Sequence, residues 1–197
     1  METTAIKHGV LLVLVGPSGV GKTTIARRLA EKLSFRFIAS VTTRQYKPGD
    51  QKPYEYLTRE QFSQRLENDE FLEYANVFDN DYATPKHPAL EYIAQGEDVL
   101  LEVDVQGALQ VRAQYPDALL IFILPPTEQT LLDRLTSRGR ETPAEVQKRY
   151  RNARREIAMA RGSRAFDRNV INDDLDRCVD EIIQSVEQKK HEKKEPL

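Results

Sequence analysis

The stretch Gly16-Pro17-Ser18-Gly19-Val20-Gly21-Lys22-Thr23-Thr24 carries chemistry in its spacing. It has the form G-x-x-x-x-G-K-[ST], a loop whose inward-turned amide N–H groups surround phosphate oxygens. Glycines at 16, 19 and 21 allow backbone conformations that other residues resist. Lys22 supplies a mobile positive charge for β- and γ-phosphates, and the Thr23 hydroxyl is a ligand for Mg²⁺. The flanks agree with this reading. Val10 to Val15 reads as a buried parallel strand, and Thr24 to Leu33, with Ile25, Leu29 and Leu33 at four-residue spacing, as a helix pointing its positive end at the same anion.

A second informative stretch is Asp98-Val99-Leu100-Leu101-Glu102-Val103-Asp104. On an extended strand Glu102 and Asp104 project to one face while Val99, Leu101 and Val103 point to the other. Two acids closing a buried apolar strand are costly without a cation or partner, and the ends of such strands border the ligand crevice of α/β sheets.

The chain of 197 residues is 40% hydrophobic and 30% charged, within single-domain range and with room for inserted subdomains. Its 29 Lys and Arg against 31 Asp and Glu leave a net charge of -2, which gives no global basis for nucleic-acid binding. The lone Cys178 forms no internal disulfide, fits a reducing compartment, and reads as a small apolar residue on a late helix. The six-residue apolar run near the start is too short for a bilayer span or a secretory signal, so a cytoplasmic protein without membrane partners is expected.

Between these stretches, strands are expected at Phe35–Ala39, Phe71–Phe78, Ala118–Leu124 and Val170–Ile171. Helices are expected at Arg59–Asn68 with Phe62 and Leu66 inward, Pro88–Ala94, Gln106–Gln114, Glu128–Ser137, Thr142 to about Met159 behind a capping box, and Leu175–Glu187. Asp79-Asn80-Asp81 reads as a turn, and the tail from Gln188 as a frayed end. Strand and helix alternate with a phosphate loop after the first strand, which predicts an α/β three-layer fold around a parallel sheet. Residues from about 43 to 90 interrupt that alternation and read as an inserted, substrate-facing subdomain.

Several motifs together resemble guanylate kinase: the phosphate loop, Ser40-Val41-Thr42-Thr43-Arg44, Phe71-Leu72-Glu73, Tyr82-Ala83-Thr84-Pro85, Glu102-Val103-Asp104-Val105-Gln106-Gly107, Ile123-Leu124-Pro125-Pro126, Arg134-Leu135-x-x-Arg138 and Asn172-Asp173-Asp174. The resemblance implies a P-loop NTPase fold with a mixed α/β nucleotide-monophosphate-binding subdomain and a helical lid. It places the core at 1–42, 96–133 and 163–197, the GMP-binding subdomain at 43–95, and the lid with its following helix at 134–162. It further implies Mg²⁺-dependent transfer of phosphate from ATP to GMP and dGMP, by a monomer or homodimer. Residues Gly16 to Thr24 with Arg134 and Arg138 would hold ATP. Ser40, Arg44, Lys47, Tyr56 and Tyr82 would hold the GMP phosphate, and Glu73, Thr84 and Asp104 would read the base. Lys22, Arg44, Arg138 and Arg149 would be catalytic, with Thr23 on Mg²⁺ and Glu102 on a Mg²⁺-bound water. Taken singly, Arg151, Arg154 and Arg155 read as exposed helix charges.

Residue chemistry agrees with these roles. Guanine shows N1–H and N2–H₂ donors beside an O6 acceptor, so two carboxylates accept from the base while Ser40 or Thr84 donates to O6. Each hydrogen bond to a charged group contributes roughly 1.5–3 kcal/mol, about ten- to a hundredfold in discrimination. The chain departs from the family at Tyr46, which replaces proline, at Lys47, which replaces arginine, and at Pro53 and Ala83, which replace glycine. Lys47 exchanges a bidentate fork for a point charge, so weaker GMP binding is expected. Two other readings remain: a family-like protein-interaction module without catalysis, and a phosphotransferase for another phosphorylated acceptor.

Overall fold

A computed structural model of the chain describes residues 8–46, 54–77, 79–137 and 142–193. Lys47, Pro53 and Arg138 lie outside the described residues. Strand β1 (Leu11–Val15) is buried on both faces, as the uninterrupted apolar run requires. Leu11, Val13 and Val15 enter one core, while Leu12 and Leu14 enter another across the sheet. Five parallel strands run in the order β2 (Phe35–Phe37), β7 (Asp98–Val103), β1, β8 (Leu119–Leu124), β9 (Arg168–Ile171).

Helices α1 (Lys22–Lys32) and α7 (Leu175–Glu192) cover one face, bringing Ile25, Leu29, Val179, Ile182 and Val186 onto Leu12, Leu14, Ile121 and Ile123. The other face is covered by α3 (Lys86–Ala94), α4 (Val105–Gln114), α5 (Glu128–Thr136) and α6 (Pro143–Gly162), through Ile93, Val111, Leu131 and Ala153. The result is the three-layer α/β arrangement that the alternation of elements predicts. Cys178 is buried in the first of these layers, and burial pushes its thiol up to about 12, which suits packing and not nucleophilic work.

Helix α7 corrects the expectation of a frayed tail from Gln188, because it runs on to Glu192. Its last turns are tied down electrostatically. Lys190 pairs with Asp98, whose other oxygen accepts from the Val10 N–H at 2.9 Å. Lys189 and Lys193 reach Asp117 at 2.6 and 2.7 Å, and Lys193 also donates to the Gly9 carbonyl at 2.9 Å. Burial raises the Asp117 carboxyl, but hydrogen bonds from those two lysines outweigh it and leave the group below its ordinary range.

A second, mixed sheet has the order β4 (Tyr54–Tyr56), β3 (Ser40–Thr42), β6 (Asn80–Pro85), β5 (Phe71–Val77). The strand expected over 35–39 is shorter: Phe35–Phe37 pairs with β7, and the chain then crosses to the small sheet, which it joins at Ser40. Asp79 takes the left-handed conformation at φ 62°, and β6 starts at Asn80, one residue into the expected turn. Helix α2 (Arg59–Glu67) opens with a capping box at Thr58 and Gln61 and places Phe62 against Val41, Phe71 and Ala83. Leu66, expected inward, is exposed, since this small core is already filled by the Phe62–Phe71 ring pair at 4.9 Å. Helix α3 begins at Lys86, which places Pro88 within the first turn, where a missing N–H costs no helical bond.

Candidate functional site

The phosphate loop leaves the carboxyl end of β1, where the ends of β7, β8 and β9 also converge. Gly19 and Gly21 hold φ at +87° and +105°, and a Cβ on Gly21 would lie 2.6 Å from Asn172 Nδ2. Glycine is required there twice over, by dihedral and by space. Asn172, buried at the end of β9, donates through that nitrogen to the Val20 carbonyl at 2.8 Å. Arg134 donates to the same carbonyl at 3.2 Å and to the Asn172 carbonyl at 2.9 Å. Arg134 thus braces the loop from outside. Lys22 Nζ donates to the carbonyls of Gly16 and Pro17, so its charge stands across the mouth of the loop.

Thr23, in the first turn of α1, donates to Glu102 Oε2 at 2.9 Å. Glu102 belongs to the face of β7 that also carries Leu100, toward α1. Asp104 is a correction to the sequence reading. It does not share the strand face of Glu102, because β7 ends at Val103 and Asp104 caps α4, accepting from the Gly107 N–H at 2.8 Å. An N-terminal helix end offers a carboxylate N–H groups that a continued strand would not.

Glu73 comes from β5 and meets α4 from the other side. It is 6% exposed, accepts from Thr84 Oγ1 at 2.6 Å, and approaches the helix so closely that a Cβ on Gly107 would lie 2.5 Å from its Oε2. Burial pushes the Glu73 carboxyl up to about 7, opposed by the Thr84 hydrogen bond and reinforced by the Asp104 charge. The Thr84 hydroxyl proton is therefore committed to Glu73, and between Ser40 and Thr84 the donor left for another acceptor is Ser40.

Several of these groups border a cavity of about 750 Å³. Gly16, Ser18 and Lys22 of the phosphate loop line it together with Glu73, Asp104, Ser40 and Tyr82, and with Glu102 and Arg149. Among the other residues picked from sequence, Pro17, Gly19, Val20 and Gly21 complete the loop, and Thr24 is exposed on α1. Arg44, Tyr56 and Thr84 do not line the cavity but stand just behind its wall. The Arg44 guanidinium lies over the Tyr54 ring at 5.4 Å, and Tyr56 packs against Tyr54 and Tyr46. Ala83 is buried in β6, while Tyr46 is exposed.

Several cavity residues escape a reading by motif. Arg155, expected as a plain surface charge, borders the cavity, whereas Arg154 turns to Glu128 at 3.6 Å. Lys148, Asn152 and Glu156 stand beside it on α6, and Arg149, Asn152 and Glu156 follow the three- and four-residue spacing of one helix face, which was the signal available. Burial pushes Glu156 up to about 7, with Lys22 opposing and Asp104 reinforcing. Tyr54 and Asn76 lie on strands whose approach to the cavity depends on tertiary packing.

The donor set beside the phosphate loop suits a hard cation: a hydroxyl and a carboxylate in contact, Thr23 and Glu102, of which Glu102 lines the cavity. Among the described residues, no group of three or more His, Cys, Asp or Glu could hold a metal ion by itself, and no helix is long and apolar enough to cross a membrane. A site of that kind fits Mg²⁺, which binds through one or two protein groups together with substrate phosphates.

Comparisons with known proteins give a consistent answer. The guanylate kinase family model matches residues 8–189. A guanylate kinase of Caldanaerobacter subterraneus is 42% identical over 179 residues, covering 89% of this chain and 85% of that protein. One from Gloeobacter violaceus is 45% identical over 175 residues, covering 87% and 84%. The crystal structure of guanylate kinase from Anaplasma phagocytophilum superposes with a TM-score of 0.75 at 29% identity, covering 93% of this chain and 87% of that one. Given the phosphate loop, the paired carboxylates across the cavity and these relatives, the chain belongs to the guanylate kinase family of nucleoside monophosphate kinases.

Proposed function

We propose that the protein transfers the γ-phosphoryl group of ATP to GMP and dGMP with Mg²⁺. The observation that carries this reading is one cavity of about 750 Å³ lined both by the phosphate loop and by the carboxylates of Glu73 and Asp104. ATP phosphates occupy the loop of residues 16–24, where Lys22 moves from the Gly16 and Pro17 carbonyls onto the transferring group. Arg134 secures the loop, and Arg149 with Arg138 supplies the remaining positive charge. Thr23 and Glu102 would hold Mg²⁺, Glu102 through a water, and the ion when bound would supply positive charge to the β- and γ-phosphates.

Ser40, Arg44, Lys47, Tyr56 and Tyr82 seat the acceptor phosphate. Glu73 and Asp104 accept from the guanine N–H groups, and the Thr84 hydrogen bond favours the ionised form of Glu73 against the burial that raises its carboxyl. A GMP phosphate oxygen forms the new bond to the γ-phosphorus as the bond to the ADP oxygen breaks. No general base is needed, since the acceptor phosphate is already ionised, so catalysis rests on alignment and charge stabilisation. The core (1–42, 96–133, 163–197), acceptor subdomain (43–95) and lid (134–162) divide these tasks.

The test is ADP release with ATP and Mg²⁺, comparing GMP, dGMP, AMP, UMP and CMP as acceptors, with Lys22→Ala as the blank. Turnover with the guanine nucleotides that is lost in the variant supports the reading. No turnover with any acceptor overturns it.

A further inference from the structure

Glu73 sits on an edge strand. In the small sheet β5 pairs with β6 alone, and its register slips between Phe71 and Glu73, so the carboxylate follows directly on a β-bulge. Bulged edge strands present unpaired backbone groups and bend easily, which is a poor foundation for a group that must be placed to a fraction of an ångström.

The backbone groups on the open side of β5 are taken up by two side chains of α4. Gln110 Oε1 accepts from the Tyr74 N–H at 3.0 Å, while Gln110 Nε2 donates to the Tyr74 carbonyl at 2.7 Å. Gln114 Nε2 donates to the Leu72 carbonyl at 3.0 Å and the Phe71 carbonyl at 3.3 Å. A primary amide presents one acceptor and two donors, so Gln110 copies the paired N–H and C=O that a neighbouring strand would offer. The two glutamines are four residues apart on one face of α4 and bracket Glu73, one on each side. The same helix begins at Asp104, which caps it, and places Gly107 against Glu73. One rigid element therefore sets both carboxylates and ties the strand that carries one of them.

We infer that Gln110, assisted by Gln114, is a positioning residue that fixes Glu73 relative to Asp104 and so sets selectivity for guanine. This inference rests on the reading of Glu73 as a base contact. Neither glutamine touches the cavity's reacting groups. Gln110 is half-buried and Gln114 exposed, so substitutions there alter the tie without opening the core.

The variants are Gln110→Leu, which keeps bulk and helix propensity but loses both bonds, and Gln110→Glu, which keeps the acceptor for the Tyr74 N–H and sets a carboxylate against the Tyr74 carbonyl. For Gln110→Leu, kcat/KM for GMP should fall about tenfold, that for IMP, which lacks the 2-amino group, should fall less, and KM for ATP should hold. Gln110→Glu should lie between wild type and Gln110→Leu. Amide exchange at Tyr74 should accelerate in Gln110→Leu while exchange in β1 is unchanged. If wild type uses GMP but the GMP to IMP ratio is the same in all three proteins, the positioning role is wrong and the site assignment survives. If wild type does not use GMP, the site reading fails, and this inference fails with it. Equal losses for GMP, IMP and ATP would mark the glutamines as structural only and overturn the proposal.

Discussion

Replacing Glu73 by glutamine isolates the cost of holding a charge at the centre of the cavity. In the folded chain burial pushes this carboxyl from 4.5 up to about 7. The folded state therefore binds the proton more tightly than the unfolded state, and stability from this group is full below the unfolded value. It declines as pH rises from 4.5 through 7 and is level beyond. One unit corresponds to 1.36 kcal/mol, so the complete loss is about 3 kcal/mol, of which about 2.5 kcal/mol falls between pH 5 and pH 8. The glutamine side chain cannot ionise, keeps the size of the original, and still accepts from the Thr84 hydroxyl. The stability difference between Glu73→Gln and wild type, from urea unfolding in the absence of nucleotide, should therefore shift in favour of the variant by that amount over the range. Slopes against urea should stay equal, showing that the unfolded states are alike. Glu156, also near 7, titrates in both proteins and cancels. A difference that is flat between pH 5 and pH 8 would refute the reasoning, because it would mean that Glu73 is charged throughout at no cost.

Further outcomes follow from the same contacts. Gly107→Ala drives a methyl to within 2.5 Å of Glu73 Oε2, so KM for GMP should rise at least tenfold in steady-state assays while KM for ATP changes little. Asn172→Ala removes the 2.8 Å bond to the Val20 carbonyl and should raise KM for ATP several-fold with the GMP value unaffected, as a net bond of about 1 kcal/mol requires. Lys47→Arg should lower KM for GMP by about tenfold if a bidentate phosphate contact is restored; an unchanged KM would remove Lys47 from the phosphate site.

Much of the fold is legible in sequence because buried parallel strands announce themselves as apolar runs. Val10 to Val15 and Leu119 to Leu124 have no other stable use, and Thr142 with Glu145 writes the start of α6 directly. The misplacements share a cause. Phe35 to Phe37 and Ser40 to Thr42 are both strands, and nothing in the sequence pattern records that they serve different sheets. Asp104 looks like a strand residue until the helix it caps is known. Gln188 to Glu192 is polar enough to fray, and only the distant Asp98 and Asp117 make its lysines worth ordering. In the cavity, residues carried by a contiguous motif were visible, whereas Tyr54 and Asn76 enter through packing between elements that are far apart in the chain.

The sheet order also bears on synthesis. β1 is made well before its partners, Val99 to Val103 and Leu119 to Phe122. At typical synthesis rates roughly 90 further residues take on the order of 5–20 s. During that interval an entirely apolar strand has no neighbour, and the phosphate loop attached to it has no fixed shape. The nascent chain is thus a client for any chaperone that shields short hydrophobic segments. Ligands that stabilise the finished protein cannot help until β8 has been made.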